Sequence, residues 1–214
     1  MKEPRIFSPD FLPGLLGAFA KIIGPDGRAT GENTDGKGFV KAISEVTSIP
    51  GKKAVIFGAG GAARAIAVEM ALAGSKEIII VNVSERGKSL ADLLNSRTPA
   101  KASFLPWNQA FSIPSDADIV INATPVGLYP NVEQRLNIRV DTLLPQMIVA
   151  DCIPTPVYTH LLKDALANGC KHVLPGMNML IYQAMIAIKY WTGKDVDADI
   201  MKQELTRVLG LSKQ

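Results

Sequence analysis

Cysteine and histidine are scarce in this chain, and their scarcity excludes several kinds of chemistry. The 214 residues include two cysteines, Cys152 and Cys170, and two histidines, His160 and His172. The cysteines form no disulfide framework and have no metal-ligand spacing, and neither histidine belongs to a Ser/His/Asp or zinc-ligand pattern. We therefore expect no metal site, structural or exposed positions for both histidines, and a reducing, cytoplasmic compartment.

Charge of one sign and long apolar runs are missing as well. The net charge is +3 and the 23 lysines and arginines are scattered, so no basic patch indicates nucleic-acid binding. Residues 1–5 begin no apolar signal-peptide segment. The most apolar stretch, 177–188, is too short and too interrupted by polar residues to span a bilayer. The sequence favours a globular protein with neither a nucleic-acid nor a membrane partner.

Short apolar runs alternate with helical patterns from about residue 34 onward. This alternation indicates βα units, and the predicted fold class is α/β, with a Rossmann-like doubly wound parallel sheet. Gly74, Gly169 and Gly193 stand at expected helix C-termini, and the aspartates of 197–199 supply acceptors for the start of the last helix. Strands are predicted at 53–57, 77–82, 101–105, 118–122, 147–150 and 171–173, and helices at 35–47, 60–73, 85–96, 156–168, 176–192 and 196–209.

The first thirty-four residues differ from the rest because prolines and glycines interrupt them. Residues 20–23 and 29–31 resemble a small hairpin around the turn Pro25-Asp26-Gly27. About thirty residues cannot build an independent core, so we expect an abbreviated first lobe or a truncated form of a longer protein. The predicted division is a lobe remnant at 1–34, a dinucleotide-binding domain at 35–192 and a C-terminal helix at 193–214.

The segment 54–65, Ala-Val-Ile-Phe-Gly-Ala-Gly-Gly-Ala-Ala-Arg-Ala, carries the most informative motif. A buried strand is predicted to end at its phenylalanine, and a helix follows the glycines, so that free N–H groups and a positive dipole end face an anion. A branched residue at the middle glycine, Gly60, is expected both to fill the space of a phosphate and to strain the backbone. A tight turn without a ligand is the alternative. The residues predicted to bind a nicotinamide dinucleotide here are Gly58, Ala59, Gly60, Gly61 and Ala62.

A second predicted strand ends in a turn of the same kind. Ala123 and Thr124 follow the strand 118–122. Ligands of open α/β sheets lie at the carboxyl ends of strands. We therefore predict that both residues border the cofactor.

Several motifs together resemble the shikimate dehydrogenase family over about residues 17–209. The resemblance implies a two-lobe enzyme with a truncated N-terminal substrate lobe, toward which the C-terminal helix returns. It implies reversible, NADP-dependent reduction of 3-dehydroshikimate to shikimate, in the route to chorismate and aromatic amino acids. The motifs that carry it are Gly31-Glu-Asn-Thr-Asp-Gly-Lys-Gly-Phe39, the glycine segment, Asn122-Ala-Thr-Pro-Val-Gly127, Asp151…Pro156…Leu161-Leu162 and Pro175-Gly-Met-Asn-Met-Leu-Ile-Tyr-Gln-Ala184.

The resemblance also implies roles for individual residues. Asp35 matches the family aspartate that binds substrate and forms an acid–base pair with a lysine of the first lobe. Gln183 matches the substrate-contacting glutamine, and Cys152 and Gly176 lie beside the cofactor. The alternatives are that Asp35 caps a helix and that Gln183 is a satisfied, half-buried amide.

The residues after the second predicted strand decide between NADP and NAD. Asn82 and Ser84 fit the family's NADP pattern, whereas Val83 replaces its first arginine and Arg86 falls one residue early. Arg86 and Lys88 can hold a 2′-phosphate through charge-assisted hydrogen bonds, while an adjacent glutamate favours NAD. We predict NADP, bound through Asn82, Ser84 and Arg86, with NAD as the alternative.

In the implied substrate pocket, this sequence departs from the family pattern at three positions. Lys2 is the only lysine near the spacing of the catalytic lysine, and an ordinary solvated terminal lysine is the alternative. Ala20 stands where the family has a substrate-contacting asparagine, and Pro154 stands where it has a tyrosine. Half of the implied pocket chemistry is therefore present.

The departures leave further hypotheses beside a shikimate dehydrogenase. One is a dinucleotide-binding module without catalysis, and another is a dehydrogenase of quinate or a related cyclic hydroxy acid. An incomplete first lobe would expose apolar surface, and exposed apolar patches favour contact between copies. We therefore also expect self-association as a homo-oligomer, or poor solubility.

Overall fold

A parallel sheet organises the part of the chain that the computed structural model describes, residues 19–23 and 28–208. Helices pack on both faces of this sheet, and a two-stranded hairpin precedes it. The elements are β1 (Phe19–Ile23), β2 (Ala29–Asn33), α1 (Asp35–Ser44), β3 (Lys53–Phe57), α2 (Gly61–Leu72), β4 (Glu77–Asn82), α3 (Arg86–Arg97), β5 (Lys101–Pro106), β6 (Ile119–Asn122), β7 (Ile148–Asp151), α4 (His160–Ala167), β8 (His172–Leu174), α5 (Gly176–Thr192) and α6 (Ala198–Val208), with a short 3-10 turn at Val140–Thr142.

The six strands of the large sheet lie in the order β5-β4-β3-β6-β7-β8, and all neighbouring strands are parallel. The chain winds outward in one direction from β3 and in the other from β6, so the order reverses between these two strands. The central strands are fully buried because helices cover both faces. The predicted doubly wound α/β fold is confirmed.

Apolar side chains form a core on each face of the sheet. On one face, Ile56 packs with Ile66 of α2 and Ile43 of α1. On the other face, Phe57 packs with Leu162 of α4 and with the ring of Trp107, whose centroid lies 5.1 Å away. Alternate residues of one strand thus enter opposite cores, as the period of a β-strand requires.

Most predicted elements match the observed ones within two residues at each end. The helix predicted at 156–168 is the main error, because α4 begins only at His160, after Thr159 in an extended conformation. The helix predicted at 35–47 ends early at Ser44, whose hydroxyl donates to the carbonyl of Val40. Such a bond competes with the continuation of a helix.

The predicted helix ends are confirmed. Gly74, Gly169 and Gly193 adopt φ values of 96°, 84° and 71° directly after α2, α4 and α5. This left-handed conformation favours glycine, which has no Cβ to clash. At the start of α6, the carboxylate of Asp197 accepts hydrogen bonds from the backbone N–H groups of Asp199 and Ile200.

The predicted hairpin is present as the antiparallel pair of β1 and β2, in which Phe19 lies opposite Asn33. Its turn at Pro25-Asp26-Gly27 lies outside the described residues, and so does Lys2. Both histidines lie where the sequence suggests. His160 contacts the exposed Glu133 at the start of α4, and His172 is exposed in β8.

Two glycines seat α1 between its neighbouring helices. A Cβ atom at Gly36 would clash with the backbone carbonyl of Ala65 in α2, and one at Gly38 would lie 2.5 Å from the backbone nitrogen of Gln183 in α5. Neither glycine has a positive φ. Their role is therefore close approach between backbones, which fixes where α1 begins relative to α2 and α5.

None of the helices in the described ranges 19–23 and 28–208 combines the length and the apolar character that a membrane crossing needs.

Replacing Gly38 with alanine is expected to lower the free energy of unfolding by about 1–3 kcal/mol, because α1 must move away from α5 to admit the methyl group. Urea unfolding of the purified chain measures this change. Gly60→Ala is the matched control, since no atom lies within 4 Å of a Cβ there, and it should leave the midpoint nearly unchanged. Equal midpoints for Gly38→Ala and the unmodified protein would contradict the close packing of α1 on α5.

Candidate functional site

The carboxyl ends of β3, β6 and β7 bring the predicted site residues to one edge of the sheet. The backbone ladder continues past the strand ends, because Ala123 N donates to the carbonyl of Phe57 at 2.9 Å and Cys152 N donates to that of Asn122 at 3.0 Å. Gly58, Ala123 and Cys152 therefore follow one another across the edge. The reversal of strand order between β3 and β6 opens a crevice at this edge in sheets of this class.

Gly58 is required by the turn itself. Its φ is 108°, and a Cβ atom would lie 2.7 Å from the carbonyl oxygen of Ala123. Both the dihedral angle and the close approach exclude a larger residue. The glycine loop after β3 is thereby held against the turn after β6.

Neither the backbone conformation nor the packing at position 60 requires glycine. Its φ of −77° and ψ of −169° are ordinary extended values, and a Cβ atom would meet no atom of the described residues within 4 Å. The expectation that a branched residue would strain the backbone here is wrong, because only Gly58 adopts the left-handed conformation in this loop. The open space beyond Gly60 fits the close approach of a ligand to the main chain.

The start of α2 is open to an anion. Gly60 provides no side-chain cap, and the first turn contains no acidic residue. The first hydrogen bond in the helix runs from Arg64 N to the carbonyl of Gly60 at 2.9 Å, which leaves the N–H groups of Gly61 and Ala62 without an intrahelical acceptor. Unpaired N–H groups and the positive end of the helix dipole together favour a phosphate.

The turn after β4 carries the residues predicted to select the cofactor. The Asn82 amide donates to the carbonyl and to the hydroxyl of Ser84, each at 3.0 Å. Val83, in the place of the family's arginine, is 78% exposed. Arg86 and Lys88 are also exposed, and within the described part of the chain neither has an ion-pair partner. Two unpaired cations therefore stand near the carboxyl end of β4.

A buried polar network, which the sequence analysis did not predict, joins β6 to β7. The carboxylate of Asp151 accepts from Asn122 Nδ2 at 3.2 and 3.0 Å, from Ile153 N at 2.9 Å and from Thr159 Oγ1 at 2.7 Å. The Asn122 oxygen accepts in turn from the N–H group and the hydroxyl of Thr124. Burial raises the Asp151 pKa above its ordinary value, and the donated hydrogen bonds oppose this rise.

Gly176 and Cys152 meet where α5 begins. A Cβ atom at Gly176 would clash with the backbone carbonyl carbons of Cys152 and Ile153, so glycine lets the helix start lie directly on the turn after β7. The Cys152 side chain is half-buried. Burial, and then the charges of Asp151 and Asp35, raise the pKa of its thiol well above the ordinary value. A neutral thiol contributes packing and no nucleophile.

Asp35 begins α1 but does not cap it. The side-chain oxygen of Asn33 accepts from the backbone N–H groups of Asp35 and Gly36 at 3.0 and 3.3 Å. The capping role is therefore filled by another residue, and the half-buried Asp35 carboxylate lies close enough to Cys152 to influence its thiol. Asn33 thus supplies these two capping bonds, and Asp35 is the acidic residue of the first turn, where a negative charge favours the helix dipole.

Gln183 lies beside the start of α1. The hydroxyl of Thr34, which is 1% exposed, donates to Gln183 Oε1 at 3.1 Å. Within the described part of the chain, no acceptor is hydrogen-bonded to Gln183 Nε2. One side of this amide is thus fixed, and the other can donate to a ligand.

The lysine nearest to Asp35 in the described sequence is already engaged. Lys37 donates to the Glu32 carboxylate and, at 2.8 Å, to the hydroxyl of Tyr190. Burial lowers its pKa, but these two partners more than reverse the effect, so the net shift is upward. The protonated Lys37 links β2, α1 and α5 through these hydrogen bonds and is not available as a base.

The structure therefore brings most of the predicted residues together in two neighbouring groups, while Asn82, Ser84 and Arg86 lie at the turn after β4. The glycine loop, the turn after β6, Cys152 and Gly176 form one group at the sheet edge, and Asp35 with Gln183 forms the other at the start of α1. Among the described residues, no group of three or more His, Cys, Asp or Glu side chains is arranged to hold a metal ion.

Comparison with known proteins gives a consistent set of similarities. A family model described as "Shikimate 5'-dehydrogenase C-terminal domain" matches residues 176–206. The shikimate dehydrogenase (NADP(+)) of Desulforamulus reducens is 40% identical over 197 residues, which cover 89% of this chain and 67% of that protein.

Two solved structures are similar to this chain. The ligand-free 5-ketofructose reductase of Gluconobacter sp. strain CHM43 superposes with a TM-score of 0.83 at 44% identity, covering 88% of this chain and 67% of the other. The shikimate 5-dehydrogenase of Listeria monocytogenes, in complex with shikimate and NAD, gives 0.78 at 34% identity, covering 86% and 66%. This chain thus spans about two thirds of the length of the proteins it matches.

The raised pKa of Cys152 predicts slow alkylation. At about pH 7.5 the folded chain should react with iodoacetamide at least tenfold more slowly at Cys152 than the chain unfolded in urea, because the thiolate is the reactive form. Mass spectrometry of proteolytic peptides measures each site, and Cys152→Ser isolates the reaction of the buried Cys170. Equal rates at Cys152 in the folded and unfolded chains would contradict the assignment.

Proposed function

This chain belongs to the shikimate dehydrogenase family of NAD(P)-dependent oxidoreductases, and from that membership we propose that it binds NADP and reversibly reduces 3-dehydroshikimate to shikimate. The proposal rests most directly on one observation. The glycine loop leaves open space in front of the N-terminus of α2, which has no side-chain cap, and this space lies where the strand order reverses between β3 and β6.

The glycine loop fits the diphosphate of a dinucleotide. The N–H groups of Gly61 and Ala62 have no intrahelical acceptor, and among the described residues no atom lies within 4 Å of a Cβ placed at Gly60. The nicotinamide group, when bound, accepts or supplies the hydride. The protein's contribution is to hold that ring near Gly176 and Cys152, in a crevice walled by the turns after β6 and β7.

The turn after β4 supports the choice of NADP over NAD. Arg86 and Lys88 are exposed and unpaired among the described residues, and two cations suit a 2′-phosphate. Asn82 fixes the shape of this turn through Ser84. The named NADP(+) specificity of the Desulforamulus reducens relative agrees with this choice, whereas the Listeria monocytogenes structure holds NAD.

Asp35 and Gln183 are the proposed substrate residues. The Asp35 carboxylate is proposed to accept the proton of a substrate hydroxyl, as the family aspartate that it matches does, while Gln183 Nε2 can donate to a second oxygen. The acid–base chemistry implied by the family also needs a lysine. Lys37 does not supply it, because Glu32 and Tyr190 hold its ammonium group.

A second candidate is the reduction of a different polyhydroxylated ketone. The similarity to a 5-ketofructose reductase favours it, since that protein shares 44% of its aligned residues with this chain. Ala20 and Pro154 replace the family's asparagine and tyrosine, which also indicates a changed pocket. Asp35 and Gln183 would serve a polyhydroxylated ketone in the same way as 3-dehydroshikimate, because both recognise hydroxyl groups.

Binding and turnover of the purified chain test the proposal. Calorimetry with NADPH should show binding, and Gly60→Val should weaken it at least about tenfold, because the side chain fills the phosphate space. Urea unfolding should show equal stability for the two proteins, since valine tolerates the extended backbone at this position. Unchanged NADPH affinity in Gly60→Val would remove the dinucleotide assignment.

Turnover separates the candidate substrates. Oxidation of shikimate with NADP is expected to exceed oxidation of quinate, and the reverse reaction with 5-ketofructose tests the second candidate. NADPH binding without turnover of any of these substrates would leave a dinucleotide-binding module and contradict the enzyme proposal.

Arg86→Ala is expected to weaken NADP binding about tenfold and to leave NAD binding nearly unchanged, because only NADP carries the 2′-phosphate. Calorimetric titration of both cofactors measures the difference. Lys171→Ala is the control, since this exposed lysine precedes β8 at the opposite edge of the sheet. Equal losses for NADP and NAD would refute the role of Arg86.

A further inference from the structure

The Asp151 carboxylate is the centre of the buried network between β6 and β7. It is 1% exposed, and three groups donate hydrogen bonds to it: the side-chain amide of Asn122, the backbone N–H group of Ile153 and the hydroxyl of Thr159. The Asn122 amide and the Ile153 N–H group can only donate, and the Thr159 hydroxyl is the one partner of the three that could accept from a protonated carboxyl. The arrangement therefore fits an ionised carboxylate, and hydrogen bonds to a charged acceptor are the stronger kind.

Two paths of contact lead from Asp151 to the proposed cofactor site. Through Asn122, whose oxygen accepts from Thr124 N at 3.0 Å and Thr124 Oγ1 at 2.7 Å, the carboxylate fixes the turn after β6. The carbonyl of Ala123 in that turn abuts Gly58 of the glycine loop. Through Ile153, the carboxylate fixes the backbone against which Gly176 packs.

The strands themselves do not require this network. The backbone ladder already pairs β6 with β7 from Ile119 and Ile148 to Asn122 and Asp151, and an isolated buried charge is costly. Thr159 lies at the N-cap position of α4, yet its hydroxyl makes no cap and bonds to Asp151. The Thr159 hydroxyl thus bonds to the carboxylate and does not cap its own helix. This choice of partner indicates that the network holds the turns in a defined geometry, in addition to any contribution to the stability of the sheet.

We propose that Asp151 is a positioning residue for the cofactor site, acting through Asn122 on the Ala123–Thr124 turn and through Ile153 on the start of α5. The inference deepens the proposed function and rests on it, since it presupposes a dinucleotide at this edge. Asp151 lies beneath the turns and acts through them. It is not a catalytic residue.

Variants at Thr159 test the proposal without removing the carboxylate. Thr159→Val keeps the shape of the side chain but deletes one donor to Asp151, whereas Thr159→Ser keeps the donor. Leu162→Val is the matched control for stability, because it trims a buried side chain in the same helix and costs about 1 kcal/mol. We expect NADPH affinity to fall about fivefold in Thr159→Val and to stay within about twofold in the other two proteins.

Hydrogen exchange of the cofactor-free protein provides an independent readout. The amides of Thr124 and Val126 donate to Asn122 and Thr124 side-chain oxygens, so their exchange reports the order of the turn. Exchange at both amides should accelerate in Thr159→Val and not in Leu162→Val.

The positioning role would be overturned by one combination of results. In that case Thr159→Val would lose as much stability as Leu162→Val, but exchange at Thr124 and Val126 and the affinity for NADPH would both be unchanged. Failure of the unmodified chain to bind NADPH would instead overturn the proposed function, while the exchange measurement would still decide whether Asp151 orders the turn. Affinity and exchange equal to those of the unmodified protein in Thr159→Ser, together with the expected changes in Thr159→Val, support the proposal.

Discussion

Close approach between backbones at glycine positions is the constraint on which the rest of this structure depends. Gly58 brings the glycine loop against the turn after β6, and Gly176 brings the start of α5 against the turn after β7. Gly36 and Gly38 seat α1 between α2 and α5. At each of these positions a single added carbon would overlap a neighbouring backbone, so the elements could not meet where they do. The proposed cofactor and substrate residues are adjacent because these contacts hold the elements together.

Gly60 illustrates the difference between a structural and a functional glycine. At Gly36, Gly38, Gly58 and Gly176 a neighbouring backbone atom occupies the space of a Cβ, whereas at Gly60 none of the described residues does. Its backbone angles also suit other residues. Packing within the described residues therefore does not require glycine here. Glycine suits the N-cap position of α2, and it also admits a ligand close to the main chain, which is the role proposed for the phosphates of a dinucleotide.

The sequence allowed prediction of those features that depend on local patterns. The strand–glycine–helix order, the helix ends at Gly74 and Gly193 and the alternation of elements follow from neighbouring residues, and all are confirmed. The link between Asn122 and Asp151 could not be predicted in this way, because it depends on the pairing of strands that are separated by 29 positions. The one sequence feature that pointed to this link was a polar residue, Asn122 or Asp151, at the end of each apolar strand.

The helix starts depend on similar contacts. α1 begins at Asp35, as predicted, and the side-chain oxygen of Asn33 accepts from the backbone N–H groups of Asp35 and Gly36. The start of α4 is delayed to His160, where Thr159 bonds to a carboxylate on a strand rather than to its own helix. In both places, local propensity does not fix which residue supplies the bonds at the start of the helix. A preceding residue decides this at α1, and a tertiary contact decides it at α4.

The central claim is that the edge formed by the turns after β3, β6 and β7 is a dinucleotide site, and a crystal structure of the chain grown with NADP tests it most directly. The account predicts that the diphosphate lies against the N–H groups of Gly61 and Ala62, that the 2′-phosphate lies near Arg86, and that the nicotinamide ring lies beside Gly176. A dinucleotide bound away from the glycine loop, or with its diphosphate at a different helix, would contradict it.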